Sequence, residues 1–145
     1  MASFRSILVP VIDSPSSMDA IRVATNLVQA TKGKLYILTI IEVERALPLD
    51  ADVDDQARRA EQTLRRAVET AGALNGSVET ELLQARSAGR TIVEFAKNHK
   101  VEAILMGVSH RGVVGGFQLG ATTQHVLTHA PSQVWVLRDT IEAQP

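Results

Sequence analysis

A doubly wound α/β domain, with a five-stranded parallel sheet and helices on both of its faces, is the fold class that this sequence predicts. Three observations carry that reading. Short apolar runs alternate along the chain with longer segments of helical periodicity, which is the pattern of strand–helix–strand units in a parallel sheet. The runs "SILVPVI", "KLYILTIIEV" and "VEAILMG" are almost continuously apolar, as strands buried on both faces must be. Hydrophobic residues make up 45% of the 145 residues but aromatics only 3%, so the core has to be built from Val, Ile, Leu and Ala. A chain of this length forms one domain, expected over residues 1–145.

Each element can be justified in order. "SILVPVI" (residues 6–12) is the first strand. "DSPSS" is a turn in which Ser16 or Ser17 can cap the first helix, and that helix places Ile21, Ala24, Leu27 and Val28 on one face. Gly33 is its expected stop. "KLYILTIIEV" is the second strand, followed by the polar connection "ERALPLDADVDD". The longest helix runs from about Val53 to Leu74, with Val53, Ala57, Ala60, Leu64, Ala67, Val68 and Ala71 as its buried stripe. Asp55–Arg59 and Glu61–Arg65 are expected surface pairs on it. "SVETELLQAR" alternates and therefore belongs near a sheet edge. "AGRTIVEFAKNHK" is the third helix and "VEAILMG" the fourth strand. A glycine-rich connection then leads to a fourth helix over about Gly120–Ala130, a break at Pro131, and "SQVWVLR" as the last strand.

The bulk numbers exclude several functions. Net charge is -1, from 15 basic and 16 acidic residues, so no basic surplus argues for nucleic acid. Without cysteine there is no disulfide, thiolate chemistry or Cys-based zinc site. "MASFRSILVPV" enters a strand without a long apolar signal region, and no apolar run approaches the ~20 residues of a membrane span; a cytoplasmic chain is expected.

In a doubly wound sheet, ligands sit beyond the carboxyl ends of the strands, where the strand order reverses. "VIDSPSS" leaves the first strand at that end, and "MGVSHRGVVGGFQLGATTQHVL" leaves the fourth. Four glycines crowd the first eleven residues of the latter, in a chain that has only nine. Either that turn needs a positive φ or something approaches its backbone closely. If the first and fourth strands are neighbours, both loops face one crevice. Its expected lining is Pro10, Val11, Ile12, Ile40, Met106, Gly107 and the segment from His110 to Gly120.

From "ILVPV" with its following Ser and Ala positions, through "RTIVEFA", to "ILMG", "LG" and "HVLTHAPSQVWVLR", the chain resembles the universal stress protein family over essentially its whole length. The resemblance implies a Rossmann-like sheet of the adenine nucleotide alpha hydrolase type and a stress-response role exercised by binding rather than catalysis. It implies an ATP or AMP site whose backbone N–H groups, in the glycine-rich loop and at the following helix N-terminus, hold the phosphates. It also implies an antiparallel homodimer through the last strand, at Val134, Trp135, Val136 and Leu137, with no metal, nucleic acid or membrane span.

Many family members carry Gly, two residues, Gly, nine residues, then Gly followed by Ser or Thr. Gly107 and Gly120 keep the outer glycines, but His110 stands at the middle one and Ala121 at the hydroxyl position. The Asp that usually ends the first strand falls on Ile12, with Asp13 one place later, and side-chain alternation keeps that shift from restoring the carboxylate. Arg86 replaces a glycine common in the loop before the third helix. Loss of the hydroxyl removes about 1.5–3 kcal/mol of hydrogen bonding to a charged oxygen, which Thr122 and Thr123 offset in part. His110 is expected to obstruct the phosphate position; the competing expectation is a contact that tightens as imidazole protonates. Gly112, Gly115 and Gly116 keep the loop adaptable. The expected site is therefore a degenerate one: Pro10, Val11, Ile12, Asp13, Ile40, Met106, Gly107, His110, Gly112, Gly120, Ala121 and Thr122, with weak ATP or AMP binding.

Other residues have plainer readings. Arg86 and Arg111 are solvated charges that can reach an anion, and Ser14, Ser16 and Ser17 are turn and cap residues. His125 and His129 have the i, i+4 spacing of two metal ligands but lack a third. No HxGH or SGGxDS-type loop follows the first strand, which argues against a nucleotidyl transferase or pyrophosphatase. The alternatives to a nucleotide-binding regulator are a relative acting through protein–protein contacts and a cytoplasmic regulatory domain of a transporter.

Overall fold

A computed structural model describes residues 4–74, 76–110 and 119–140. The elements follow as β1 (Ser6–Pro10), α1 (Pro15–Thr31), β2 (Lys34–Glu42), α2 (Asp54–Ala71), β3 (Ser77–Ala85), α3 (Ala88–His99), β4 (Ala103–Val108), α4 (Ala121–His129) and β5 (Gln133–Arg138). The five strands form one sheet in the order β3-β2-β1-β4-β5, and all four pairings are parallel. The expected doubly wound sheet is the observed one.

Alternation along the strands makes two cores from one sheet. Ile7, Val9, Leu35, Ile37, Ala103 and Leu105 point to one face, where Ile21, Ala24 and Val28 of α1 and Ala67 and Ala71 of α2 cover them. Leu8, Tyr36, Leu38, Ile104 and Met106 point to the other, against Ile92, Phe95 and Ala96 of α3 and Val126 of α4. Burial of each such aliphatic side chain stabilises by about 1.5–3 kcal/mol, which is why the strand sequences lack polar interruptions. β3 lies at one edge, as its alternation implied, with Glu79 and Glu81 exposed, and β5 at the other.

Several local expectations are corrected. Ser14, rather than Ser16 or Ser17, caps α1: its side chain accepts from the Ser17 N–H at 3.2 Å, which leaves Pro15 in the first turn, where no N–H is needed. The left-handed residue closing α1 is Lys32 (φ 54), not Gly33. Gly33 is small because a Cβ there would stand 2.4 Å from the Arg5 carbonyl oxygen. α2 stops at Ala71, with Gly72 at φ +67 reversing the chain before Leu74. Thr63, Ala67 and Ala71 are its buried residues while Val68 is exposed, because the contacting stripe is narrower than the apolar positions suggested. Asp55 pairs with Arg58, one turn along, and not with Arg59.

β1, β2 and β3 spread to one side and β4 and β5 to the other, so the order reverses between β1 and β4. These two strands are direct neighbours, through Ile7↔Ala103 and Leu8↔Ile104. A doubly wound sheet opens its ligand crevice beyond such a pair.

Candidate functional site

A cavity of about 350 Å³ lies at that point. Pro10, Val11 and Ile12 come to it from the end of β1, Leu38, Ile40 and Glu42 from β2, and Met106 and Gly107 from β4. Ser17 of α1, Ala88 and Ile92 of α3, and Thr122 and Thr123 of α4 complete the wall. The interior is largely apolar, which suits a flat heterocycle, and the polar groups gather at its rim.

Each wall has a local cause. The Ser17 hydroxyl accepts from the Ile12 N–H at 3.0 Å and from the Ser14 hydroxyl at 3.2 Å, fixing the turn that leaves β1. The Val11 N–H donates to the Leu38 carbonyl at 2.8 Å, and the Thr39 hydroxyl to the Val11 carbonyl at 3.0 Å, so the ends of β1 and β2 are held together. Glu42 accepts from the Ala88 N–H at 2.9 Å, bringing the first turn of α3 over β2. Gly89 lets α3 sit close to α4, since a Cβ there would be 2.9 Å from His125 Cβ.

Gly107 answers half of the glycine question. A Cβ on it would stand 1.9 Å from the Ser16 carbonyl oxygen, so the backbone that approaches it is the first turn of α1. Gly120 is different. It opens α4 at φ -68 and ψ 165, with no side-chain cap and nothing within 4 Å of a would-be Cβ. The first N–H groups of α4 have no acceptor inside the helix, as at any helix start, and Thr122 and Thr123 bring this turn to the cavity.

The expected site residues divide accordingly. Pro10, Val11, Ile12, Ile40, Met106, Gly107 and Thr122 line one cavity. Gly120 and Ala121 begin the helix behind Thr122 without lining it. Gly112, with Arg111, Gly115 and Gly116, lies outside the described residues. Asp13 does not line this cavity, and its carboxylate accepts from Arg66 of α2 at 2.7 Å on the other side of the sheet end. Alternation sends residue 12 toward α3 and α4 and residue 13 toward α2. Ile12 itself is 68% exposed at the mouth.

His110 is held beside that wall. Its ring is not part of the cavity wall: Nδ1 lies 2.7 Å from Asp139 Oδ1, and its backbone N–H donates to the same oxygen at 2.8 Å. The Asp139 N–H donates to the Val108 carbonyl at 3.0 Å, so the pair extends the β4–β5 ladder past Val108↔Arg138. Both side chains are part-buried, and the hydrogen bond from His110 holds the Asp139 carboxyl below the usual carboxylate range. Arg86 donates to the carbonyls of Val43 and Glu44, bracing the β2–α2 connection, and is not aimed at an anion. His125 and His129 stack at 4.3 Å, and among the described residues no group of three or more His, Asp or Glu is placed to hold a metal.

Sequence reasoning missed Leu38, Glu42, Ser17, Ala88, Ile92 and Thr123 as wall residues. Leu38 and Glu42 were within reach, since they share the Ile40 face by alternation. Ala88 and Ile92 were not, because they depend on α3 crossing from β3 at the edge to β4 beyond β1.

The fold and crevice define a doubly wound α/β domain whose cavity lies where the strand order reverses. A profile of the universal stress protein family matches residues 3–138, and the chain belongs to that family. A universal stress protein of Methanocaldococcus jannaschii is 23% identical over 144 residues, covering 93% of this chain and 82% of the relative. Among solved structures, a universal stress protein of Lactobacillus plantarum is similar at 26% identity and TM-score 0.73, covering 95% of this chain and all of that one. One from Archaeoglobus fulgidus in complex with dAMP superposes at TM-score 0.72 and 20% identity, with 93% and 98% of the two chains covered.

Proposed function

We propose that this protein is a small stress-response regulator that binds an adenine nucleotide in the β1/β4 crevice and acts through binding, without catalysis. The observation that carries the reading is the single cavity that joins the ends of β1, β2 and β4 to the first turn of α4. The adenine ring would lie against Pro10, Leu38, Ile40 and Ile92, with the Ile40 backbone at its edge, and the phosphate would turn toward Gly120, Ala121 and Thr122. The dAMP complex of the Archaeoglobus fulgidus relative supports this class of ligand. Affinity for ATP is weak, in the tens of micromolar or poorer, because Ile12 and Ala121 replace two polar contacts. Mass spectrometry of small molecules released from purified protein tests the reading. A stoichiometric adenine nucleotide, or micromolar AMP binding by calorimetry, supports it; an empty protein that ignores AMP and adenosine at millimolar concentration overturns it.

The exposed Ile12 at the crevice mouth favours a second reading, in which the protein works through protein–protein contacts without nucleotide. The active unit in either reading is a cytoplasmic homodimer paired through Val134–Leu137 of β5. These residues are half-buried on an edge strand, where unpaired backbone groups invite a second copy. Trp135, packed edge-on against Phe4 at 5.6 Å, would stiffen that surface. Sedimentation showing monomer at micromolar concentration removes the dimer.

A further inference from the structure

The pairing of β1 with β2 ends at Pro10↔Leu38, whereas β2 stays paired with β3 as far as Glu42↔Ala85. The last residues of β2 therefore run on past β1. Ile40 and Glu42 share one side of that overhang, because strand side chains alternate, and both line the cavity. We propose that Glu42 selects the base: its carboxylate accepts from the 6-amino group of adenine and disfavours the carbonyl of a 6-oxopurine.

The carboxylate is already anchored. One oxygen accepts the Ala88 N–H at 2.9 Å, a group that the first turn of α3 leaves without a helical acceptor. Among the described residues the Glu42 side chain has no other hydrogen bond and no ion pair. Its second oxygen is thus an acceptor at the cavity wall, on a group with nothing to donate. The other end of the cavity has the opposite character. The strand order puts β4 across β1 from β2, so Thr122 and Thr123, in the α4 that follows β4, stand away from Glu42. Their turn offers hydroxyls and N–H groups without a helical acceptor. A ligand anion is drawn to those donors and repelled by the Glu42 carboxylate. In an adenine nucleotide the 6-amino group lies on the edge of the base opposite the ribose. With the phosphate toward α4, that edge meets Ile40 and Glu42. An amino group there makes a charge-assisted hydrogen bond with the carboxylate. A carbonyl there sets two acceptors against each other and leaves both unpaired. The assignment rests on the adenine reading of the crevice and names the side chain that reads the base.

Calorimetry at neutral pH with adenosine, purine riboside and inosine tests this on the parent, Glu42→Gln and Glu42→Ala. The three nucleosides carry an amino group, a hydrogen and a carbonyl at position 6, and none has a phosphate. The parent binds adenosine at least about tenfold tighter than inosine, with purine riboside between them. Glu42→Gln keeps an acceptor for the Ala88 N–H and turns its NH2 toward the ligand, so the adenosine-to-inosine preference falls about tenfold. Glu42→Ala removes the reader outright and brings adenosine down toward purine riboside, which holds even if the glutamine side chain turns the other way. If the parent binds all three nucleosides alike, or both variants keep the parent's preference, Glu42 is a tie to α3 only and the proposal falls alone. If the parent binds neither these nucleosides nor AMP at millimolar concentration, the crevice reading falls and takes this proposal with it.

Discussion

Gly107 closes β4 with the first turn of α1 lying against its Cα, whereas Gly120 opens α4 with empty space where a side chain would stand. The two glycines frame the same connection and match the same family signature, but the physical demands on them differ. At Gly107 the demand is internal, since any Cβ meets the Ser16 carbonyl and helix α1 would have to move off the sheet. At Gly120 nothing in the described protein objects to a side chain, and its φ of -68 is open to any residue. A glycine that the protein does not need is the better candidate for one that a ligand needs. The difference teaches that two glycines of one signature can stand under opposite packing demands, strict at Gly107 and absent at Gly120 among the described residues.

The comparison can be broken most sharply by filling both positions. Gly107→Ala should destabilise by on the order of 3 kcal/mol, because the new carbon meets backbone and not a flexible side chain; urea unfolding checks it, and a loss under about 1 kcal/mol means α1 shifts easily. The next largest effect is on recognition. Ala121→Ser restores a hydroxyl beside Gly120, and a hydrogen bond to a charged oxygen of about 1.5 kcal/mol or more would tighten AMP roughly tenfold by calorimetry. No gain would place the phosphate somewhere other than the first turn of α4.

Acid should probe the far side of the connection. The folded pKa of Asp139 lies below its ordinary value of 3.8, so its contribution to stability is complete above that value and is lost as pH falls through the folded pKa. The stability difference between the parent and Asp139→Asn should therefore be constant from pH 7 down to about 5 and close only in stronger acid. A difference that vanishes near pH 6 would assign it to another group. The smallest effect belongs to Gly120→Ala, which should change the unfolding free energy by no more than about 0.5 kcal/mol while weakening AMP. Equal affinity for AMP before and after would leave Gly120 as a helix-start residue with no ligand role.

Much of the fold was legible because parallel strands buried on both faces have a signature that needs no partner to be read. "SILVPVI" and "VEAILMG" could hardly be anything but central strands, and the polar alternation of "SVETELLQAR" placed β3 at an edge before any pairing was known. The site was legible in part. Pro10, Ile40, Met106 and Gly107 could be named because each stands at the carboxyl end of a strand. The partners of His110 and Asp13 were not legible, because each is held by a residue far along the chain, Asp139 and Arg66, and no local pattern announces such a pair.

By itself, then, the sequence determined the alternation of strands and helices, the aliphatic double core and the strand ends that face the crevice. All of these follow from hydrophobic periodicity, which is local along the chain and strong in energy. Only the tertiary structure decided that Ser14 caps α1, that α3 crosses to bring Ala88 and Ile92 over the crevice, and that Gly107 makes room for α1. It also decided that the carboxylates of Asp13 and Asp139 are taken by partners distant in the chain. Those outcomes depend on which surfaces meet once the sheet order is set, and a polar side chain takes whichever partner packing brings within about 3 Å of it.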